Sequence, residues 1–140
     1  MNNQLAILIS AYQASVGTAV DMMHRSGISR PLTNMDWVGT DIPQRGELEG
    51  GVRYFKHGYG CAVSLPTGTV DFDFGAHGEI GGFDAWRLAS FAGEKLSEYG
   101  FADEDALTEC FKAEVAAGSL VYSGYILYYV ADDTSQFLSK

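Results

Sequence analysis

The sequence is poor in cysteine for its length. Only Cys61 and Cys110 occur in 140 residues, which excludes the disulfide framework of a small secreted protein. Each cysteine lies within an apolar pattern, so we expect two buried thiols and a cytoplasmic location. An apolar share of 46 % excludes an intrinsically disordered chain. The length predicts a single domain that spans residues 1–140.

Motifs with a defined catalytic or cofactor chemistry are also missing. The patterns G-x-S-x-G, H-E-x-x-H, C-x-x-C and the P-loop do not occur. The glycines around HGYG and GEIGG lack the strand-to-helix context that a phosphate-binding loop needs. The sequence therefore favours a binding protein over an enzyme, and we expect neither a cofactor nor a metal ion.

Long apolar runs are absent as well, because no stretch approaches the ~20 apolar residues that span a bilayer. The early run LAILISA lacks the preceding basic residue of a signal peptide. It continues instead as an amphipathic pattern, which predicts no membrane association and a helix that Asn3 caps and Gly27 ends. The apolar stripe of this helix consists of Leu5, Leu8, Ile9, Tyr12, Val16, Ala19, Val20 and Met23.

The net charge of −9 comes entirely from the second half of the chain. Residues 1–70 contain five acids and five bases, whereas residues 71–140 contain thirteen acids and four bases. Such a field repels nucleic acid and anionic lipid, which we exclude as partners, and it attracts a basic protein surface. The alternative interpretation is that the charge serves only solubility.

Three segments with alternating apolar residues, VRYFKHG, CAVSLP and TVDFDFG, predict an antiparallel sheet. The predicted pairs are Leu65 with Val70, Val63 with Phe72, and Cys61 with Phe74. This register places both apolar rows on one face, around a turn at residues 66–69. Asp71 and Asp73 then lie on the opposite face, beside Ser64 and Ala62.

Two further helices are predicted after these strands. Asp84 caps the first, which ends at Gly100, and Asp103 caps the second, which ends near Gly118. The run SLVYSGYILYYV predicts that residues 120–130 return to the sheet as a strand, with a helix as the alternative. The fold class is therefore α+β, in which an antiparallel sheet of three to five strands packs against an N-terminal helix and two later helices.

The segment DFDFGAHGE contains a cluster of metal-ligating residue types: Asp71, Asp73, His77 and Glu79. Alternate carboxylates about 7 Å apart on a strand, with ligands on a following loop, suit a divalent cation in a metal-assisted hydrolase. The simpler interpretation is the solvent face of a hairpin. Cys61 is not expected to be a nucleophile, because the register buries its thiol and burial raises a thiol pKa.

Aromatic residues supply a second group of candidates. Trp37 lies in an irregular segment, residues 28–51, and is either an anchor of that loop or a side chain that faces a partner. Four tyrosines fall within eight residues near the C-terminus: Tyr122, Tyr125, Tyr128 and Tyr129. On a strand, Tyr125 and Tyr129 share one face, while Tyr122 and Tyr128 share the other. These tyrosines form either an interface or the wet edge of the core.

Residues 50–91, with the motifs HGYGC, VDFDFG and GFDAWRL, resemble a group of small bacterial proteins. Some of these are similar to immunity proteins of polymorphic toxin systems. The resemblance covers about a third of the chain. It implies a cytosolic antidote that binds a cognate toxin domain, and it places no catalytic residue on this sequence.

Our leading hypothesis is a non-enzymatic inhibitor that binds a basic toxin domain through an acidic surface. The candidate contacts are Asp71, Asp73, Glu79, Glu104, Asp105, Trp37 and Tyr125. The alternatives are the metal-assisted hydrolase described above and a small-ligand-binding domain with a cleft between sheet and helices.

Overall fold

The computed structural model describes residues 1–28, 42–57, 60–73, 80–124 and 126–132, and the backbone alone of Asp73. It is an α+β fold in which a four-stranded antiparallel sheet packs against an N-terminal helix and two later helices, as the sequence predicts. The elements in chain order are α1 (Asn3–Arg25), β1 (Arg45–Glu47), β2 (Arg53–His57), β3 (Gly60–Leu65), β4 (Gly68–Asp73), α2 (Ala85–Ala92), α3 (Glu104–Ala117), β5 (Leu120–Tyr122) and β6 (Tyr128–Val130). Short 3-10 turns occupy Glu49–Gly51 and Gly93–Lys95.

The predicted stripe of α1 is confirmed, because all its members except Val20 are buried. The cap is one residue earlier than predicted: Asn2 Oδ1 accepts the backbone N–H of Leu5 at 2.9 Å. Asn2 has an extended backbone and is therefore the N-cap, which makes Asn3 the first helical residue. Gly27, with a φ of 74°, follows the end of the helix as predicted.

By length and composition, α1 is also apolar enough to cross a bilayer, with a mean hydropathy of 1.3. A core helix of a soluble protein passes the same test. In this structure the stripe of α1 packs on the sheet, mainly against β4.

The face of each strand in the β3–β4 hairpin is predicted correctly, but its register is wrong by two residues. Val63 pairs with Val70 and Cys61 with Phe72. The reason is the turn, since β3 and β4 are joined by only Pro66 and Thr67 rather than by four residues. Proline suits the first central position of a tight turn, and the glycine that follows, Gly68, has a φ of 146°. Because side chains alternate with a period of two, a shift of two leaves both apolar rows on the core face.

The sheet has the order β1-β2-β3-β4, and its inner face forms the core with the helices. α1 and α2 pack on β4, whereas α3 packs on α1, α2 and β5. The ring of Tyr12 in α1 meets that of Phe91 in α2 edge-on at 5.6 Å. The buried apolar side chains of the sheet are Tyr54, Cys61, Val63, Val70 and Phe72. The helices thus cover one side of the sheet and leave Arg53, Phe55 and Ser64 on the other.

Three predicted elements need correction. The helix that begins after Asp84 ends at Ala92 instead of near Gly100, because Gly93 adopts a φ of 52°. Within residues 120–130, Leu120–Tyr122 and Tyr128–Val130 pair with each other as a separate hairpin, β5–β6, rather than forming one strand of the main sheet. Gly124, between the two strands, has a φ of 89°. The segment 28–51, predicted to be irregular, contains β1; residues 29–41 lie outside the described part of the chain.

We expect Leu88→Ala to destabilise the protein by about 2–5 kcal/mol, because the side chain is fully buried beneath α2 and its truncation leaves a cavity. Urea unfolding measures the change. The matched control is Ile7→Ala at an exposed position of α1, which should cost less than about 0.5 kcal/mol. Equal stability of wild type and Leu88→Ala would show that Leu88 is not packed as described.

Candidate functional site

The exposed edge of β4 is covered by two side chains that meet at one backbone oxygen. The carbonyl of Asp71 accepts a hydrogen bond from the Tyr12 hydroxyl at 2.8 Å and another from Arg87 Nε at 2.7 Å. Arg87 also donates to Asp84, the N-cap of α2, at 2.8 Å. An edge strand with free carbonyls invites pairing with another chain, so these contacts close part of the edge.

The Asp71 side chain points to the outer face of the sheet, where Oδ1 lies 3.0 Å from His57 Nε2. β2 and β4 are not neighbours, so this contact crosses β3. It can do so because the outer row of β3 is small: a Cβ added to Gly60 would come within 3.4 Å of the His57 ring, and Ala62 is the residue paired with Asp71. The Asp71 carboxylate is only 15 % exposed. The Asp71 carboxylate therefore has a structural role through its bond to His57, and it has little exposed area with which to contact a partner.

Cys61 lies on the inner face of the sheet, as predicted, with no exposed surface. Burial, and to a smaller extent the nearby charge of Asp71, raises the pKa of its thiol to about 12. The reactive species of a cysteine is the thiolate, which is almost absent at neutral pH for such a thiol. Burial likewise raises the pKa of the Tyr12 hydroxyl, which therefore acts as a hydrogen-bond donor. These groups hold the fold together and do not form a nucleophilic centre.

The outer face of the sheet holds an open cavity of about 450 Å³ between β1, β2 and β3. Its lining residues are Arg45, Gly46, Glu47, Arg53, Tyr54, Phe55, Ala62 and Ser64. The Arg45 guanidinium lies 4.5 Å from the centre of the Phe55 ring, which fixes it in place. The cavity thus combines two guanidinium groups, one carboxylate, an aromatic ring and the Ser64 hydroxyl; the hydroxyl of Tyr54 donates to the Pro43 carbonyl.

A second cavity, of about 390 Å³, lies where the small-ligand hypothesis expects a cleft, between α1 and the β3–β4 turn. α1 contributes mainly small residues to it, and Lys95 and Tyr99 form the far side. The hydroxyls of Ser15 and Thr67 lie 2.8 Å apart, so each already has a hydrogen-bond partner. The Thr18 hydroxyl likewise donates to the Ala14 carbonyl, so the three side-chain hydroxyls of Ser15, Thr18 and Thr67 are bonded within the protein.

Exposed carboxylates concentrate on α3 and on the segment before it. We call this set the acidic helical surface: Glu94, Glu98, Asp103, Glu104, Asp105 and Glu109. Asp103 Oδ1 accepts the backbone N–H of Ala106 at 2.9 Å, which makes it the predicted N-cap of α3. Two lysines share this region, and one of them, Lys112, lies 3.6 Å from Glu109.

Glu114 is an acid of α3 that is used structurally. Its carboxylate accepts the Ser119 hydroxyl at 2.8 Å and the backbone N–H of Asn2 at 2.9 Å. These bonds hold the pKa of Glu114 below its usual value, and the bond from Ser119 has the largest effect. It fastens the end of α3 to its neighbours and is not part of the acidic helical surface.

Apolar side chains are exposed on the hairpin β5–β6, which packs against α3. We call the pair Tyr122 and Ile126, which are 48 % and 51 % exposed, the hairpin patch; Val121 is also exposed but points to the opposite face of the hairpin. The patch is tied to α3 through aromatic rings. Phe111 of α3 meets Tyr128 edge-on at 5.2 Å, and Tyr128 lies 4.9 Å from Tyr122.

The predicted contact residues do not form one surface. Glu104 and Asp105 are exposed on α3, whereas Asp71 lies on the outer face of the sheet, on the side away from the helices. Trp37, Glu79 and Tyr125, together with His77 of the proposed metal cluster and the side chain of Asp73, lie outside the described residues. Among the residues that the structure describes, no three metal-ligating side chains come together.

The sequence analysis did not identify the exposed side chain of Trp86 or the cavity on the outer face of the sheet. Trp86 in the first turn of α2 is 60 % exposed. Its position two residues before Leu88 places it off the buried stripe, so the helical period could have identified it. Tyr122 and Tyr128 share a face as predicted, whereas Tyr129 is buried.

The chain matches a family described as a domain of unknown function, DUF6896, over residues 5–130. Because the match includes nearly all of the sequence, the chain belongs to this family. No curated protein and no solved structure matches it. The family assignment names no activity, so the resemblance to immunity proteins stays a prediction.

Thiol titration tests the placement of Cys61. In a Cys110→Ser variant, we expect no reaction of native protein with a disulfide reagent near pH 8, close to the ordinary thiol pKa of ~8.5, because the Cys61 pKa is about 12. The same variant in urea should react fully, which is the control. Rapid reaction of the native variant would mean that Cys61 is accessible and ionised.

Proposed function

We propose that this protein is a cytoplasmic immunity protein that binds a basic toxin domain and blocks it without catalysing a reaction. The observation that supports this function is that the hairpin that carries the hairpin patch packs against α3, whose first half exposes the carboxylates of Glu104, Asp105 and Glu109. Protein interfaces combine an apolar and aromatic centre with a polar rim, and this arrangement has both parts.

The two parts of this surface have different tasks. The acidic helical surface attracts a basic partner over a distance of about one Debye length, ~8 Å at physiological ionic strength. Tyr122 and Ile126 then lose exposed apolar area in the complex, which slows its dissociation. Charge governs the association rate, and the hairpin patch governs the lifetime of the complex.

The surface is also held in place before binding. Asp103 caps the start of α3, and Gly118 closes its end with a φ of 84°. The ring contacts from Phe111 through Tyr128 to Tyr122 fix the hairpin against the helix. A pre-formed surface loses little conformational entropy on binding, which favours high affinity.

Co-expression tests the proposal directly. The product of a neighbouring toxin-like gene should arrest bacterial growth, and expression of this chain should restore it. The variant Glu104→Gln/Asp105→Asn should restore growth poorly, because it removes two charges from the acidic helical surface. The control Asp21→Asn/Glu47→Gln removes the same charge from exposed positions elsewhere and should restore growth fully.

Binding kinetics separate the two parts of the surface. Higher salt should lower the association rate much more than it raises the dissociation rate. Tyr122→Ala should instead raise the dissociation rate, by roughly tenfold or more if it is a central contact. An association rate that ignores salt, or equal effects of the charge variant and its control, would contradict the proposal.

A further inference from the structure

We propose that the cavity on the outer face of the sheet binds a small phosphate ester through Arg45 and Arg53. This inference does not depend on the toxin partner proposed above, because the cavity and the acidic helical surface lie on different layers of the fold. It rests on the placement of two guanidinium groups around a cavity of about 450 Å³, a size that suits a small organic ligand.

The register of β1 and β2 brings the two arginines to one face. Arg45 pairs with Phe55 and Glu47 pairs with Arg53, so Arg45 and Arg53 are diagonal neighbours across the two strands. Diagonal neighbours in a sheet are separated by about 7–8 Å, within reach of long side chains. A single anion between the strands can therefore meet both guanidinium groups.

Neither guanidinium group forms an ion pair with a described residue. The structure gives Arg45 a contact with the Phe55 ring but no hydrogen bond or ion pair within the described part of the chain. Glu47 is directly opposite Arg53, yet no ion pair within 4.0 Å forms between them. Like charges that share a face repel each other, and a bound dianion would remove that repulsion.

The chemistry of the lining defines the class of ligand. A guanidinium group presents a planar fork of donors that matches phosphate oxygens, and stacking on Phe55 holds the Arg45 fork in position. Ser64, exposed on β3, adds a hydroxyl donor, and Glu47 can accept from a hydroxyl group of the ligand. The side chain of Ala62, between the longer side chains of the lining, is short and leaves room for the ligand. A hydroxyl-bearing phosphate ester, of sugar phosphate or nucleoside monophosphate size, satisfies all of these groups.

The acidic charge of the chain does not oppose this site. The four strands of the main sheet contain three acids and three bases, Glu47, Asp71 and Asp73 against Arg45, Arg53 and Lys56. Most of the other acids that the structure describes lie in the helices or in the segments that join them. Charges farther away than about 8 Å are largely screened at physiological salt. The charge at the cavity is thus mainly that of its own lining, two arginines and one glutamate.

Calorimetric titration with ribose 5-phosphate and with adenosine monophosphate tests the proposal. We expect saturable binding of at least one ester by the wild-type chain. Arg45→Gln and Arg53→Gln should each weaken it by roughly tenfold or more, the usual effect of losing a charged hydrogen bond. Arg25→Gln, the same change at a guanidinium group outside the cavity, should leave the affinity within about twofold.

Circular dichroism establishes that each variant is folded, which is expected since both arginines are exposed. If one of them fails to fold, Ser64→Ala replaces it and should also weaken binding. Absence of saturable binding by both esters would overturn the proposal. So would binding that survives both arginine substitutions, or that Arg25→Gln weakens equally, because the interaction would then be unspecific.

Discussion

The backbone carbonyl of Asp71 is the point at which the layers of this protein are joined. It accepts one hydrogen bond from Tyr12 of α1 and one from Arg87 of α2, so two helices and the edge strand β4 share a single acceptor. Arg87 extends the connection to Asp84, which caps α2. The position of both helices on the sheet, and hence the position of α3 on those helices, follows from this contact together with the apolar core.

This arrangement separates two surfaces with different chemistry. The helices cover the inner face of the sheet, so the acidic helical surface and the hairpin patch face away from the outer face, where Arg45 and Arg53 lie. Opposite charges are thereby kept apart, and neither surface neutralises the other. In our two proposals, one surface binds a basic protein and the other binds a small anion.

The helices and the faces of the strands could be predicted because they depend on local periodicity. The stripe of α1 and the caps Asp84 and Asp103 follow from spacing and residue type. The burial of Cys61 and Val63 follows from alternation, which a register shift of two residues does not change. The sequence pattern is therefore sufficient to predict helix stripes, helix caps and strand faces, because each depends on residues that are close in sequence.

The remaining features depend on which strands meet, and that information is not local. β1 has only three residues and no apolar alternation, so nothing in the sequence indicates that Arg45 lies beside Arg53. The contact between His57 and Asp71 requires β3 to be small at Gly60 and Ala62, which becomes clear only when the register is known. The positive φ of Gly93 and Gly124 ends one helix and turns one strand into a hairpin. Every glycine can adopt a positive φ, but the sequence does not indicate which glycines do so.

A double-mutant cycle on Tyr12 and Arg87 tests the role of the Asp71 carbonyl most directly. Tyr12→Phe removes one donor and keeps the ring packed on Phe91. Arg87→Met removes the other donor and keeps the apolar stem, but it also removes the ion pair with Asp84. That second loss occurs in both the single and the double variant, so it cancels from the coupling energy. Each single variant retains one donor to the carbonyl, and we expect a loss of about 1–2 kcal/mol in urea unfolding. The double variant leaves the carbonyl without either donor and should lose about 0.5–3 kcal/mol more than the sum of the single losses. Additivity within about 0.3–0.5 kcal/mol would mean that the two donors act independently and that this carbonyl does not join the layers.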